Sequence, residues 1–279
     1  MKVTKADGTF EDFSVEKIHK VVEWATNDIK GVSFSDIEMN ANLSIYDKIK
    51  TSEIQKVLIK SANDLISTSA PNYQYVAARL LNMQLRKEVW GSGQNPPSFV
   101  TFLQNNVDNG IYDNLLNPVV IMPPISSDCW TEDQVKELEK HIDHSRDDQF
   151  TYSGLQQMVD KYLVKNRSTG KIYETPQFAY MCIAMCLFHT VEDVKNAYDA
   201  YSTFKLNLPT PVMAGVRTSI RQFASCVLVD VDDSLDSIFS SVHAVGRYTA
   251  RRAGIGLNIG RVRPLNSPIR GGEVIHTGL

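Results

Sequence analysis

The chain has 279 residues, 43% of them apolar and 22% charged, and a formal net charge of −3. That length accommodates about two domains, and the composition supports a sizeable core and excludes a disordered chain. The near-neutral balance argues against a general nucleic-acid or anionic-membrane surface, so neither partner is expected.

Residues 2–5 and 9–13 read as two short strands around the turn signal Asp7-Gly8. Ser14 fits a helix N-cap, with Val15, Ile18, Val21, Val22 and Ala25 following at helical spacing. Thr51-Ser52 fits a second cap, ahead of Ile54, Val57, Leu58, Ala62 and Leu65. A third helix is expected from about 72 to 89, ending at Gly91. A hairpin with several helices is an α+β pattern, and the Gly/Pro-rich stretch 91–97 reads as a linker after it.

The middle, 98–208, reads as mainly helical. Residues 152–163 are amphipathic, and 178–188 are apolar on all sides and so should be buried. Residues 167–170 read as a turn between short extended pieces. From 209 onward the pattern changes. Residues 223–231 read as a buried strand, and Asp233-Ser234 opens a helix carrying Leu235, Ile238, Val242 and Val245 that ends near Gly254. Residues 256–262 read as the next strand. This β-α-β unit implies a parallel sheet that needs further strands, for which 206–216 is the available upstream segment.

The N-terminus is too polar for a signal peptide, and the longest apolar run, 179–188, is far short of a membrane span. Cys129, Cys182, Cys186 and Cys226 do not suggest a disulfide framework in a chain of this length. A reduced, cytoplasmic protein is expected.

Gly254-Ile255-Gly256-Leu257-Asn258-Ile259-Gly260 does not fit a dinucleotide loop, which must follow a strand and open a helix. A helix C-cap with close backbone packing fits better. Asp232-Asp233-Ser234 suits helix capping, since carboxylates favour the positive helix end. Cys182 and Cys186, in an apolar helix, read as core filling, and no metal site is expected in the chain. His141 and His144 lie among charges and read as a solvated face. Cys226 reads from its neighbours as a buried core thiol. Lys5, Glu11 and Lys17 read as surface charge, although two lysines beside a short hairpin could also hold a triphosphate.

Several stretches taken together resemble one family. They include Arg221-Gln222-Phe223, Ser225-Cys226-Val227-Leu228, Arg252-Ala253-Gly254-Ile255-Gly256 and Ser267-Pro268-Ile269-Arg270-Gly271-Gly272-Glu273. Leu208-Pro209-Thr210-Pro211 and Gly215-Val216-Arg217-Thr218 belong to the same set. Along its whole length the chain resembles the N-terminal part of the large subunit of class I aerobic ribonucleotide reductases.

The resemblance implies an α+β N-terminal ATP-cone over 1–92, a mainly helical domain over 98–208, and the first part of an α/β ten-stranded barrel over 209–279. It implies reduction of ribonucleoside diphosphates by thiyl-radical chemistry. Cys226 would be the substrate-side member of the reducing cysteine pair. Thr210, Ser225, Arg252, Ala253 and Gly254 would contact the substrate. Asp233, Ser234, Leu235, Arg263 and Ile269 would form the effector site that selects the substrate. Lys5, Glu11, Lys17, Thr51 and Lys87 match nucleotide-contacting positions of the cone. Ala6, Ser14 and Gln55 stand where an arginine, an asparagine and a histidine would be expected, which should weaken nucleotide binding.

Implied cofactors are ATP and deoxynucleotide effectors with Mg2+, and a radical supplied by a metal-containing small subunit. Implied partners are that small subunit and a thioredoxin- or glutaredoxin-type reductant. The family's barrel continues beyond residue 279, so the chain is expected to be one half of a split large subunit. A second chain would then carry the C-terminal part, and this chain alone would be inactive. The competing expectations are a stand-alone nucleotide-binding regulatory module and a truncated product without function.

Overall fold

The computed structural model describes residues 1–5, 7–42, 45–91, 95–116, 130–219, 223–251 and 253–278. The chain forms two compact units, Met1–Leu208 with Arg217–Ser219, and Pro209–Val216 with Ile220–Leu279.

The first unit opens with β1 (Lys2–Thr4), which pairs antiparallel with β2 (Phe10–Asp12). Asp7-Gly8 turns the chain between them: the Asp7 carboxylate accepts from the Thr9 backbone at 2.9 Å, and Gly8 adopts φ +83°. Two helices follow, α1 (Val15–Thr26) and α2 (Phe34–Asn42), then β3 (Ile49–Lys50), α3 (Thr51–Asp64) and α4 (Tyr73–Trp90). β3 adds to β1 in parallel, giving the order β2-β1-β3. The side chains of Val22, Ala25, Ile37, Leu58, Ala62 and Leu80 bury the contact between these helices.

Some of this departs from the sequence reading. α2 and β3 were not foreseen. Ser14 holds the N-cap position of α1, but its side chain makes no capping hydrogen bond. The N-cap of α3 is Lys50, one residue ahead of the expected Thr51-Ser52. α4 ends as expected at Gly91, whose φ of +72° brings its N–H to the Lys87 carbonyl at 3.0 Å.

Helices α5 (Phe99–Asp108), α6 (Glu132–Glu139), α7 (Tyr152–Gln157), α8 (Pro176–Leu187) and α9 (Val191–Ser202) complete this unit. α7 runs on as a π-helical turn over Met158–Tyr162. α8 is the central helix, buried along Phe178–Met185 as its unbroken apolar sequence predicts, but the expected burial does not extend to 188, since Leu187 is exposed and Cys186 and Phe188 are only partly buried. Phe178 meets Phe102 and Phe99 with ring centroids at 4.5 and 5.1 Å. The expected turn at 167–170 is present between the bridged residues Lys165 and Ile172.

The second unit holds α10 (Thr210–Gly215), β4 (Cys226–Asp230), α11 (Leu235–Ala250), β5 (Gly254–Asn258), β6 (Pro268–Ile269) and β7 (Val274–Ile275). β4 and β5 pair in parallel, with Cys226 opposite Gly254 and Asp230 opposite Asn258. α11 makes the crossover between them, so the β-α-β unit is present. β6 and β7 form a small antiparallel hairpin.

Three expectations are corrected here. Residues 210–215 form α10 and not a strand, since Pro209 and Pro211 pre-set the first helical turn. β5 starts at Gly254, so Gly254 is a strand residue, and the C-cap of α11 is Arg251. β4 is not a buried strand: Leu228 is 87% exposed, because among the described residues only β5 and α11 pack against it. No helix among the described residues is long and apolar enough to cross a membrane.

Candidate functional site

The first cluster lies on the N-terminal hairpin. Lys5 follows β1, Glu11 is in β2 and Lys17 is in the first turn of α1. The Lys5 ammonium lies 2.8 Å from one Glu11 carboxylate oxygen, and Lys17 bonds the other. Hydrogen bonds from Lys17 and then Lys5 hold the Glu11 carboxyl down at about 2. The pairing of Thr4 with Lys50 brings Thr51, at the head of α3, alongside the end of β1. Lys87 is exposed in the last turn of α4, and no described contact joins it to this group. Gln55 points inward: its amide donates to the Leu80 carbonyl at 2.9 Å and it is 8% exposed. Ala6 lies outside the described residues.

The second cluster sits where β4 and β5 begin. The Cys226 thiol is exposed, which corrects the expectation of a buried core thiol; no second layer covers this end of the pair among the described residues. The Ser225 hydroxyl donates to the Cys226 sulfur at 3.7 Å, and the Gly254 N–H donates to the Ser225 carbonyl at 2.8 Å. A Cβ on Gly254 would lie 3.4 Å from that carbonyl and 4.0 Å from the sulfur, so glycine keeps the space beside the thiol open. Ala253 is buried, and its N–H reaches the Tyr248 carbonyl at 3.1 Å. Thr210 is exposed at the head of α10, and no described contact joins it to this cluster. Arg252, Arg221, Gln222 and Cys129 lie outside the described residues.

The third cluster is at the start of α11. Ser234 is its N-cap and accepts from the Ser237 N–H at 3.2 Å, so the capping reading holds for Ser234, whereas the Asp232 and Asp233 carboxylates pair with arginines. The Arg263 Nε–H is shared between both Asp233 carboxylate oxygens, at 2.8 and 2.9 Å. That contact holds the Asp233 carboxyl below its ordinary range. Arg261, which the sequence reading did not single out, pairs with Asp232 at 3.2 Å and Asp230 at 3.5 Å. Its alternation with Arg263 along the segment after β5 was the available signal. Leu235 is 71% exposed, and Ile269 lies in β6 opposite Val274.

The remaining candidates fall in the core. Cys182 is fully buried, which pushes its thiol well above the ordinary range, and Cys186 is partly buried. The solvated-face reading fails for His144. Its ring packs edge-on against Trp90 and Phe178, with centroids 5.0 Å away in each case, and burial lowers it to about 4. His141 is half-buried and bonds the Asp199 carboxylate at 3.1 Å.

Comparison with known proteins orders these clusters. Residues 1–88 match the ATP cone domain, residues 148–221 the ribonucleotide reductase all-alpha domain, and residues 224–279 the ribonucleotide reductase barrel domain. The chain is 47% identical over 282 residues to the alpha subunit of ribonucleoside-diphosphate reductase 1 of Escherichia coli, covering 99% of this chain and 36% of that protein. It is 44% identical to the alpha subunit of Haemophilus influenzae, covering 100% of this chain and 36% of the relative. The alpha subunit of Enterobacteria phage T4 is 42% identical, with the same coverage. The chain belongs to the ribonucleotide reductase large-subunit family. It corresponds to the N-terminal part and spans about a third of the length of the relatives it matches, 36% in each of these cases. Its architecture is therefore an ATP-cone, then the reductase helical domain, then the start of the reductase barrel. The hairpin cluster falls in the cone, and the Cys226 and Asp233 clusters fall in the barrel segment.

Proposed function

We propose that the chain acts as the N-terminal part of a ribonucleoside-diphosphate reductase large subunit, in the reduction of ribonucleoside diphosphates to deoxyribonucleotides. The observation that carries this is the exposed Cys226 thiol beside the open backbone of Gly254. A reducing thiol must reach substrate and then reductant, and the absence of a Cβ lets a ribose approach it. In this reading Cys226 and a second cysteine become a disulfide, and the two electrons and two protons released go to the ribose as its hydroxyl leaves as water. Thr210, Ser225, Arg252, Ala253 and Gly254 contact the substrate.

Asp233, Ser234, Leu235, Arg263 and Ile269 hold the specificity effector. Asp233 and Arg263 neutralise each other in the structure, so a bound nucleotide would take Asp233 on its sugar or base and Arg263 on its phosphates. Lys5 and Lys17 fit a Mg2+-bound triphosphate, because two ammonium groups already converge on one carboxylate. Glu11, Thr51 and Lys87 complete that set.

The proposed partners are a radical-generating small subunit, a dithiol reductant and the remainder of the barrel, supplied in the same polypeptide or by a second chain in the cytoplasm. Exposed Leu228, Phe239 and Val242 support the need for a covering layer on the barrel segment.

The test is deoxyribonucleotide formation after this chain is combined with the rest of the barrel and the small subunit. Turnover that Cys226→Ser abolishes, with substrate binding retained, supports the reading. Undiminished turnover in Cys226→Ser removes it. Nucleotide binding without turnover in any combination favours a regulatory module.

A further inference from the structure

A cavity of about 490 Å³ opens in the first unit, and none of its lining residues belongs to the three clusters above. It lies between the last turn of α4, α5 and the short segment after the 167–170 turn, and Trp90, Phe102, Asn106, Lys171 and Tyr173 line it. Its size falls in the range of small-molecule pockets.

The lining is unusual in its unused polar groups. The Trp90 indole N–H, in the lining, is buried without a hydrogen-bond partner, and a buried polar group is ordinarily satisfied, so this one marks a place for a ligand. Asn106, 8% exposed, also lines the cavity, and no side-chain hydrogen bond is found for it among the described residues. Lys171 holds its ammonium 5.3 Å from the Tyr173 ring centroid and forms no ion pair among the described residues. No carboxylate is found among the described lining residues.

We propose that this cavity binds a nucleoside monophosphate with a purine base. An asparagine amide offers one donor and one acceptor side by side, which matches the N6/N7 edge of adenine. Aromatic walls suit a planar base. A lysine serves a phosphate as a point charge. One cation can pair with one phosphate group but cannot span a triphosphate chain, and this separates the cavity from the hairpin cluster with its paired lysines. The proposal does not depend on the reductase reading, since none of these residues belongs to the sites assigned there.

The test is photolabelling of the full chain with 8-azido-adenosine monophosphate, followed by peptide mapping and competition with unlabelled AMP. Labels are expected on the peptides carrying Trp90 or Tyr173. Asn106→Leu and Lys171→Met should each weaken labelling of these peptides about tenfold, on the scale of a lost base or phosphate contact. Lys171 is exposed, so its variant tests the site even if the buried one folds poorly. Labels confined to the segments around Lys5, Lys17 or Arg263 would overturn the proposal. So would labelling that both cavity variants leave intact, or competition by inorganic phosphate or benzoate equal to that by AMP.

Discussion

Arg217 is completely buried and donates its Nε–H to the equally buried carboxylate of Glu174 at 2.8 Å. The same carboxylate accepts from the Val164 backbone at 2.5 Å and from the Tyr112 hydroxyl, while Arg217 also reaches the Tyr162 carbonyl at 2.9 Å. Two charges removed from water tolerate each other only in such a surrounded geometry. Removing one leaves the other unpaired. Glu174→Met or Arg217→Met should therefore destabilise the first unit by about 3–5 kcal/mol. The double replacement Glu174→Met with Arg217→Met should be less harmful than the sum of the two, because it leaves no orphaned charge. Chemical denaturation of the three variants checks this, and additive losses would refute the coupling.

The cysteines differ in access. Cys226 is exposed, whereas Cys182 is fully buried and its thiol is pushed up by desolvation and by the neighbouring Glu174 carboxylate. Only the thiolate reacts, so both factors act in the same direction. Brief alkylation of the native protein at pH 8 should label Cys226 and spare Cys182, with Cys182 appearing only after denaturation. Mass spectrometry of the peptides separates the two. Equal native labelling would contradict the packing of α8.

Much of the fold was legible because its signals are local. Asp7-Gly8 fixed the first hairpin, and the unbroken apolar run of α8 announced a buried helix. α2 was not legible, since its core contacts reduce to Ile37 and Ala41 and the rest of FSDIEMNAN carries no stripe. β3 has two residues and is held by a parallel ladder to β1, which no local pattern encodes. Gly254 follows a helix closely and so reads as its cap, but the strand begins there through pairing with Cys226, 28 positions away, and the hydrogen bond of its N–H to the Ser225 carbonyl. The clusters show the same limit. Cys226, Asp233 and Lys5 were singled out by motif resemblance, whereas the Arg261 pairs and the Glu174–Arg217 pair depend on contacts between distant segments.

His144 is surrounded by charge in sequence and by aromatic rings in space. Its ring stays neutral in the folded protein because burial and the nearby Arg86 guanidinium oppose protonation, lowering it from 6.5 to about 4. The unfolded chain thus binds more protons than the folded one between these values. Stability should rise with pH across that window, and the contribution is lost as pH falls from 6.5 toward 4. Melting temperature followed from pH 4 to 7 should climb less steeply in His144→Phe than in the parent. Identical slopes would show that His144 does not carry the dependence.

The Glu11 carboxylate is the counter-charge that Lys5 and Lys17 share, and it governs what those lysines can do. With its carboxyl held at about 2 against an ordinary 4.5, Glu11 is ionised at neutral and mildly acid pH. Its contribution is fully present above 4.5 and is lost as pH falls through 2; replacing Lys5 and Lys17 by alanine should return its carboxyl ¹³C titration toward 4.5. A polyphosphate bound as proposed would compete with Glu11 for the same two ammonium groups. Glu11 belongs to the proposed triphosphate set, so Glu11→Gln should weaken triphosphate binding; unchanged or tighter binding would mean that the carboxylate only competes with the phosphates. Gln55 is turned inward, and on the proposed reading it and Ala6 stand where the family resemblance implies a histidine and an arginine. Restoring them with Ala6→Arg and Gln55→His should tighten triphosphate binding about tenfold, the scale of one charge-assisted hydrogen bond. Calorimetric titration of the parent and restored chains with ATP and dATP measures the difference, and an unchanged affinity would mean that the hairpin lysines alone set the strength of the site.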